Sequence, residues 1–119
     1  MIEALEQRVL KDGIPFLGIC VGMQMLFERG HEHGVTEGLG WFKGEVVPLA
    51  PADKSLKIPH MGWNELAAKK SHPYLDGIEQ GDHAYFVHSF HCKPQEDIIT
   101  LSADYGEQVV AAIARDNIF

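Results

Sequence analysis

At 119 residues the chain has room for one domain at most, and a hydrophobic content of 45% is that of a folded globular protein rather than a disordered one. A net charge of −7 with no Lys/Arg cluster argues against nucleic acid and anionic membranes as partners. No apolar stretch approaches membrane-spanning length and no signal-peptide pattern opens the chain; two cysteines, Cys20 and Cys92, cannot make a disulfide framework, so reduced thiols in the cytoplasm are expected.

Residues 1–12 predict an amphipathic helix with Ile2, Leu5 and Val9 on one face, ended by Gly13 and Pro15. Residues 16–19 are wholly apolar, the pattern of a strand buried in a parallel sheet, and residues 22–29 return to helical spacing through Met23, Leu26 and Phe27. Residues 31–40 are polar and glycine-rich and read as a loop. Strands are expected over 41–49, 57–66 and 84–92, with turns at Ser71-His72-Pro73 and Asp76-Gly77. Residues 98–103 and 109–114 predict a hairpin closed by Tyr105-Gly106. Asp116-Asn117 is a turn, and Ile118-Phe119 reads as the opening of a further strand.

The run Gly18-Ile19-Cys20-Val21-Gly22 joins the apolar strand to the following helix. This is the sequence form of a nucleophile elbow, a tight strand-to-helix turn that lifts one side chain into a cleft. Gly18 and Gly22 are expected to supply the room for strand and helix to approach. The free N–H groups and positive end of the helix then face the sulfur, the setting in which a cysteine acts as a nucleophile. The first of those groups, on Val21, is placed to hold an oxyanion.

Gly-Ile-Cys-Val-Gly-Met-Gln (18–24) resembles the nucleophile motif of the triad-type glutamine amidotransferases. Three further stretches resemble one branch of that family, the glutaminase subunits of imidazole glycerol phosphate synthase: Pro59-His60-Met61-Gly62-Trp63-Asn64, Tyr85-Phe86-Val87-His88-Ser89-Phe90, and Asp104-Tyr105-Gly106 continued by Asp116-Asn117-Ile118-Phe119. The resemblance spans nearly the whole chain. It implies an α/β, flavodoxin-like fold with a mixed or parallel central sheet and flanking helices, with residues 1–119 forming part of one amidotransferase domain.

Under that resemblance Cys20 is the nucleophile that takes the carboxamide of glutamine to a thioester, and Val21 gives an oxyanion-hole N–H. Gln24 contacts the substrate, and Ser89 and Phe90 line the pocket for its amino-acid end, with Phe90 where the family commonly has Tyr. His60, Met61, Trp63 and Asn64 match the surface facing a cyclase subunit, near the entrance of an ammonia passage. No cofactor and no metal are implied. The family places its histidine base and glutamate in a His-Pro-Glu strand following Asp-Asn-x-Phe, and a Gly-rich loop with the second oxyanion donor before the nucleophile strand. Neither stretch occurs in residues 1–119, which therefore read as an internal segment holding the nucleophile without its base.

Two other functions fit the same residues less closely. One is a different cysteine amidotransferase or hydrolase of this fold; the other is a non-catalytic module that docks a partner through 59–64. The remaining candidates read as structural. His31-Glu32-His33 is a solvated loop, and His88 and His91 point to opposite faces of one strand, so they build no metal site. Cys92 is a buried thiol, and Trp41 and Phe42 belong to the core.

Overall fold

A computed structural model describes all 119 residues. The chain opens on a helix, α1 (Ile2–Glu6), that widens into a π-helical turn over Gln7–Lys11. Gly13 leaves it at φ 71°. Of the expected face, Val9 is buried and Leu5 packs against the core, whereas Ile2 is exposed. The second helix, α2 (Val21–Gln24), follows the cysteine directly.

The strands form three small sheets. In the first, of order β2-β1-β3-β7, β1 (Arg29–Gly30) runs antiparallel to β2 (Thr36–Glu37) and parallel to β3 (Gly44–Pro48), and β7 (Phe90–Pro94) lies antiparallel to β3. The second pairs β4 (His60–Glu65) with β6 (His83–His88). The third joins β5 (Ala67–Ala68) to the hairpin of β8 (Ile99–Asp104) and β9 (Gln108–Ile113). A 3-10 turn over Pro73–Leu75 and a cis peptide at Ile58-Pro59 complete the backbone. The mixed α/β class stands, with most strand pairs antiparallel.

One apolar core holds the pieces together. Val9, Leu26, Phe27, Trp41, Phe42, Val46 and Cys92 pack with Ile98, Val110, Ile113 and Ile118. Trp41 and Phe42 are core residues as expected. The Arg115 guanidinium lies 4.3 Å from the Phe42 ring centroid and donates 2.9 Å to the Trp41 carbonyl, closing the edge of that core.

Four expectations need correction. Residues 16–19 are extended but not buried: Leu17 and Ile19 are exposed, and only one side of the segment is hydrogen-bonded. Its partner is the chain's last turn, through Phe16 N–H to Asn117 O (2.8 Å), Gly18 N–H to Phe119 O (2.8 Å) and Phe119 N–H to Phe16 O (2.9 Å). The helix expected over 22–29 stops after one turn because the carbonyls of Met25, Leu26 and Phe27 accept N–H groups of Leu39, Phe42 and Gly40 instead. The 31–40 loop contains β2. The strand expected over 84–92 breaks at Ser89, sending β6 and β7 into different sheets.

Candidate active site

Cys20 sits at φ 56°, ψ −113°, a conformation that L-residues adopt rarely and under strain. It is exposed, between the extended segment and α2. A Cβ built on Gly18 would lie 2.8 Å from the carbonyl carbon and oxygen of Gly22, so the elbow closes only because residue 18 has no side chain. Gly22 is different. Nothing lies within 4 Å of a Cβ placed there, so its part in the close approach is its backbone, not its missing side chain.

Helix α2 is one turn long, too short to build the macrodipole expected behind the sulfur. The N–H groups of Gly22, Met23 and Gln24 bond within the turn, to Ile19 O, Cys20 O and Cys20 O. The Val21 N–H stands outside those bonds.

Two clefts meet at this turn. The larger, of about 430 Å³, is mostly apolar and is lined by Cys20, Met23, Gln24, His88, Phe90 and His91 among others. The smaller, of about 240 Å³, mixes apolar walls with charged residues of both signs: Val21, Gln24, Arg29, His31, Glu32, Glu37 and Phe90 line it. Gln24 and Phe90 wall both. Ser89 lines neither: it forms the corner between β6 and β7, and its carbonyl accepts the Leu49 N–H at 2.9 Å. In the sequence Glu32 reads as part of a solvated loop and Glu37 is not singled out, since no local pattern marks either. They reach the cleft because β1 and β2 fold the polar loop back beside α2.

The two cysteines differ sharply. Burial pushes the Cys92 thiol up to about 12, whereas Cys20 is open to solvent. Iodoacetamide at neutral pH is therefore expected to modify Cys20 and spare Cys92 until the chain is unfolded. Peptide mapping by mass spectrometry checks this, and early labelling of Cys92 would contradict the packing around it.

The residues matched to a partner surface divide between the two faces of β4. Met61 and Trp63 are 59% and 72% exposed, and stand beside Val87 and Tyr85 of β6 at 59% and 55%. Trp63 and Tyr85 meet edge-to-face at 5.7 Å. His60 is a correction: it is 2% exposed, stacked between Phe86 (4.7 Å) and Tyr105 (4.0 Å) on the inner face. Asn64 shares that inner face and donates 2.9 Å to the Asp104 carbonyl. The two-residue period of the strand causes the split.

Four of the seven histidines have close polar neighbours. His31 lies 3.2 Å from Glu45, His72 donates to the Asp116 carbonyl, and His60 and His88 bond to one another at 2.9 Å. His91 is buried with its Nε2 3.4 Å from the Glu107 carboxylate, outside hydrogen-bond geometry. No group of three or more His, Cys, Asp or Glu side chains is arranged to hold a metal ion.

Burial holds His60 and His91 below the ordinary imidazole value, His88 adding to the effect on both and Lys93 on His91, while Glu107 pulls His91 back up. For Glu107 itself burial raises the carboxyl, but the Ala50 N–H, Lys93 and His91 outweigh it and hold it low. An imidazole with a depressed folded value stabilises fully above its unfolded value near 6.5 and loses that stabilisation as pH falls. Stability is thus expected to fall below pH 6.5, by up to about 1.4 kcal/mol per pH unit for each of the two histidines. Urea melts between pH 7.5 and 5 test this, and a flat profile would contradict it.

The sequence that builds this fold was compared with known proteins. All of residues 1–119 match the family described as glutamine amidotransferase class-I. The chain belongs to that family. It is 55% identical over 115 residues to the imidazole glycerol phosphate synthase subunit HisH of Cereibacter sphaeroides, covering 96% of this chain and 54% of that protein. The subunit of the same name from Brucella abortus is 54% identical over 122 residues (98% and 56% covered), and that of Zymomonas mobilis 51% over 120 (99% and 54%). The chain spans about half the length of these curated relatives.

Proposed function

We propose that this chain belongs to a glutaminase subunit of imidazole glycerol phosphate synthase, hydrolysing glutamine and passing the ammonia to a cyclase subunit in a cytoplasmic heterodimer. The observation that carries the reading is Cys20 itself, exposed at positive φ on a one-turn helix whose Gln24 shares its cleft.

In that reading the Cys20 sulfur attacks the carboxamide carbon of glutamine, and the oxyanion that forms takes the Val21 N–H. The C–N bond then breaks as the leaving nitrogen takes up the proton given up by the Cys20 thiol and departs as ammonia, and water hydrolyses the thioester to glutamate, returning a proton to the sulfur. The amino-acid end of glutamine lies across Gln24 and Phe90 toward the smaller cleft, where Glu32 and Glu37 offer acceptors to its ammonium group. Ser89 serves the pocket only indirectly, as the corner that sets Phe90.

Ammonia release by the complete glutaminase bound to its cyclase, lost in Cys20→Ala, tests the reading; turnover surviving that change would overturn it.

The cyclase is proposed to dock on the outer face of β4 and β6. Met61, Trp63, Tyr85 and Val87 form an apolar patch with an aromatic pair at its centre, the composition of an interface core. Trp63→Ala is expected to weaken the complex by about 2 kcal/mol or more. Because the indole is mostly in solvent, the chain's own stability should shift by only about 0.5 kcal/mol. Calorimetric titration and thermal melts separate the two effects, and equal affinity would place the cyclase elsewhere.

The second reading, a module that docks without chemistry, is favoured by one observation. Cys20 has no hydrogen-bonded histidine among these residues.

A further inference from the structure

A line of hydrogen bonds runs behind the outer patch toward the clefts. The Asn64 side-chain amide donates to the Asp104 carbonyl (2.9 Å) and faces His60 Nε2 (3.3 Å); His60 Nδ1 meets His88 Nε2 (2.9 Å); His88 Nδ1 meets the Phe90 carbonyl (2.9 Å). The two ends settle every proton between them. A carbonyl only accepts, so His88 carries its proton on Nδ1 and its Nε2 must accept from His60 Nδ1. His60 Nε2 is then bare and accepts from Asn64, whose orientation is set independently because its Oδ1 accepts the Glu65 N–H at 2.8 Å. Both rings hold one proton, both on Nδ1.

This line spans the β4–β6 pair and ends on the residue that walls both clefts. Its start, Asn64 and His60, lies on the strand whose opposite face carries Met61 and Trp63. Stacking between Phe86 and Tyr105 fixes the plane of the His60 ring, so the ring cannot turn without displacing both neighbours.

We propose that His60 is a positioning residue for the glutamine pocket: through His88 it holds the Phe90 carbonyl, and with it the corner at Ser89 where β6 hands over to β7. The proposal rests on the glutamine reading above for the identity of the ligand, but the coupling of His60 to Phe90 does not. His60 touches neither Cys20 nor the smaller cleft; it reaches the larger cleft through its bond to His88 and its stacking on Phe86, and His60→Phe removes the first while keeping the second.

The test has two parts, both on the full chain. Long-range nitrogen–proton correlation spectra read the tautomers directly. Both His60 and His88 are expected in the Nδ1–H form, the minor one for free histidine in water, and an Nε2–H signal from either ring would overturn the assignment. Glutamine is then titrated against Cys20 alkylation, and half-protection is compared with each variant's own unprotected rate. His60→Phe keeps a ring between Phe86 and Tyr105 but cannot bond, and is expected to raise half-protection by roughly tenfold. His60→Asn places an amide donor near the position of Nδ1 and is expected to return it to within about twofold of the parent. Unchanged half-protection in His60→Phe would reduce His60 to a packing residue and overturn the proposal. If glutamine fails to protect the parent chain, the glutamine reading falls, and the coupling is read from the Phe90 carbonyl carbon instead. A shift of that carbon in His60→Phe, reversed in His60→Asn, supports the coupling, and no shift overturns it.

Discussion

Residues 1–119 by themselves are expected to release ammonia from glutamine no faster than buffer, with or without a cyclase subunit present. Cys20 is exposed at positive φ, but no histidine bonds to it: His88 gives one ring nitrogen to the Phe90 carbonyl and the other to His60, and His91 is buried beside Glu107. General acid–base assistance is typically worth on the order of 10²–10⁴ in rate. Losing one oxyanion donor typically costs about 10²–10³, and the proposed reading draws only one, the Val21 N–H, from these residues. The losses need not add, because the groups act as a unit. An assay of ammonia release decides it. Turnover near that of an intact glutaminase, abolished by Cys20→Ala, would mean that His88 or His91 leaves its present partner to serve as the base.

The two glycines of the elbow are expected to respond in opposite directions. In Gly18→Ala the new methyl would meet the Gly22 carbonyl carbon and oxygen at 2.8 Å and the Met23 nitrogen at 3.0 Å, all backbone atoms with nowhere to retreat. The elbow must open, at about 1–3 kcal/mol, and Cys20 loses its place beside Gln24. In Gly22→Ala the methyl enters open space on the first turn of α2, where alanine is the better helix former. That change should be neutral or stabilising by up to about 1 kcal/mol. Denaturant melts of the pair test the geometry more sharply than either alone. Similar destabilisation by both would mean that the strand and helix meet in some other way.

These contrasts mark where the sequence is legible. The Gly18–Gly22 spacing identifies the elbow, yet nothing local says that only Gly18 is sterically required, because the clash lies in how the two segments cross. Likewise Met23, Leu26 and Phe27 have helical spacing and are used in the core, but the helix ends at Gln24. Its continuation is overridden by N–H groups of residues 39, 40 and 42, and Gly38 lets that segment lie against the Phe27 carbonyl. Alternation in β4 separates Met61 and Trp63 from His60 and Asn64, and a motif read as one surface misses that separation. The break at Ser89 has no proline or glycine to announce it. Turns that rest on local chemistry were legible: Gly13, Asp76-Gly77 and Tyr105-Gly106 all fall where expected. The acidic lining of the smaller cleft was not, since Glu32 and Glu37 look like any solvated loop until β1 and β2 pair.

The bonds between Phe16–Gly18 and Asn117–Phe119 also bear on the order in which the molecule assembles. The Asn117 amide reinforces them by donating to the carbonyls of Val9 and Ile14, at sequence separations of 108 and 103. Closing a loop of that length carries an entropic penalty of roughly 4 kcal/mol, which local pairings such as the β8–β9 hairpin do not face. Those hairpins can form early, while the segment leading into Cys20 waits for residues made about a hundred positions later. The nucleophile turn is therefore a late element of folding. During synthesis the segment before Cys20 is pinned only once residues 117–119 are available, and it docks together with Ile118 of the core.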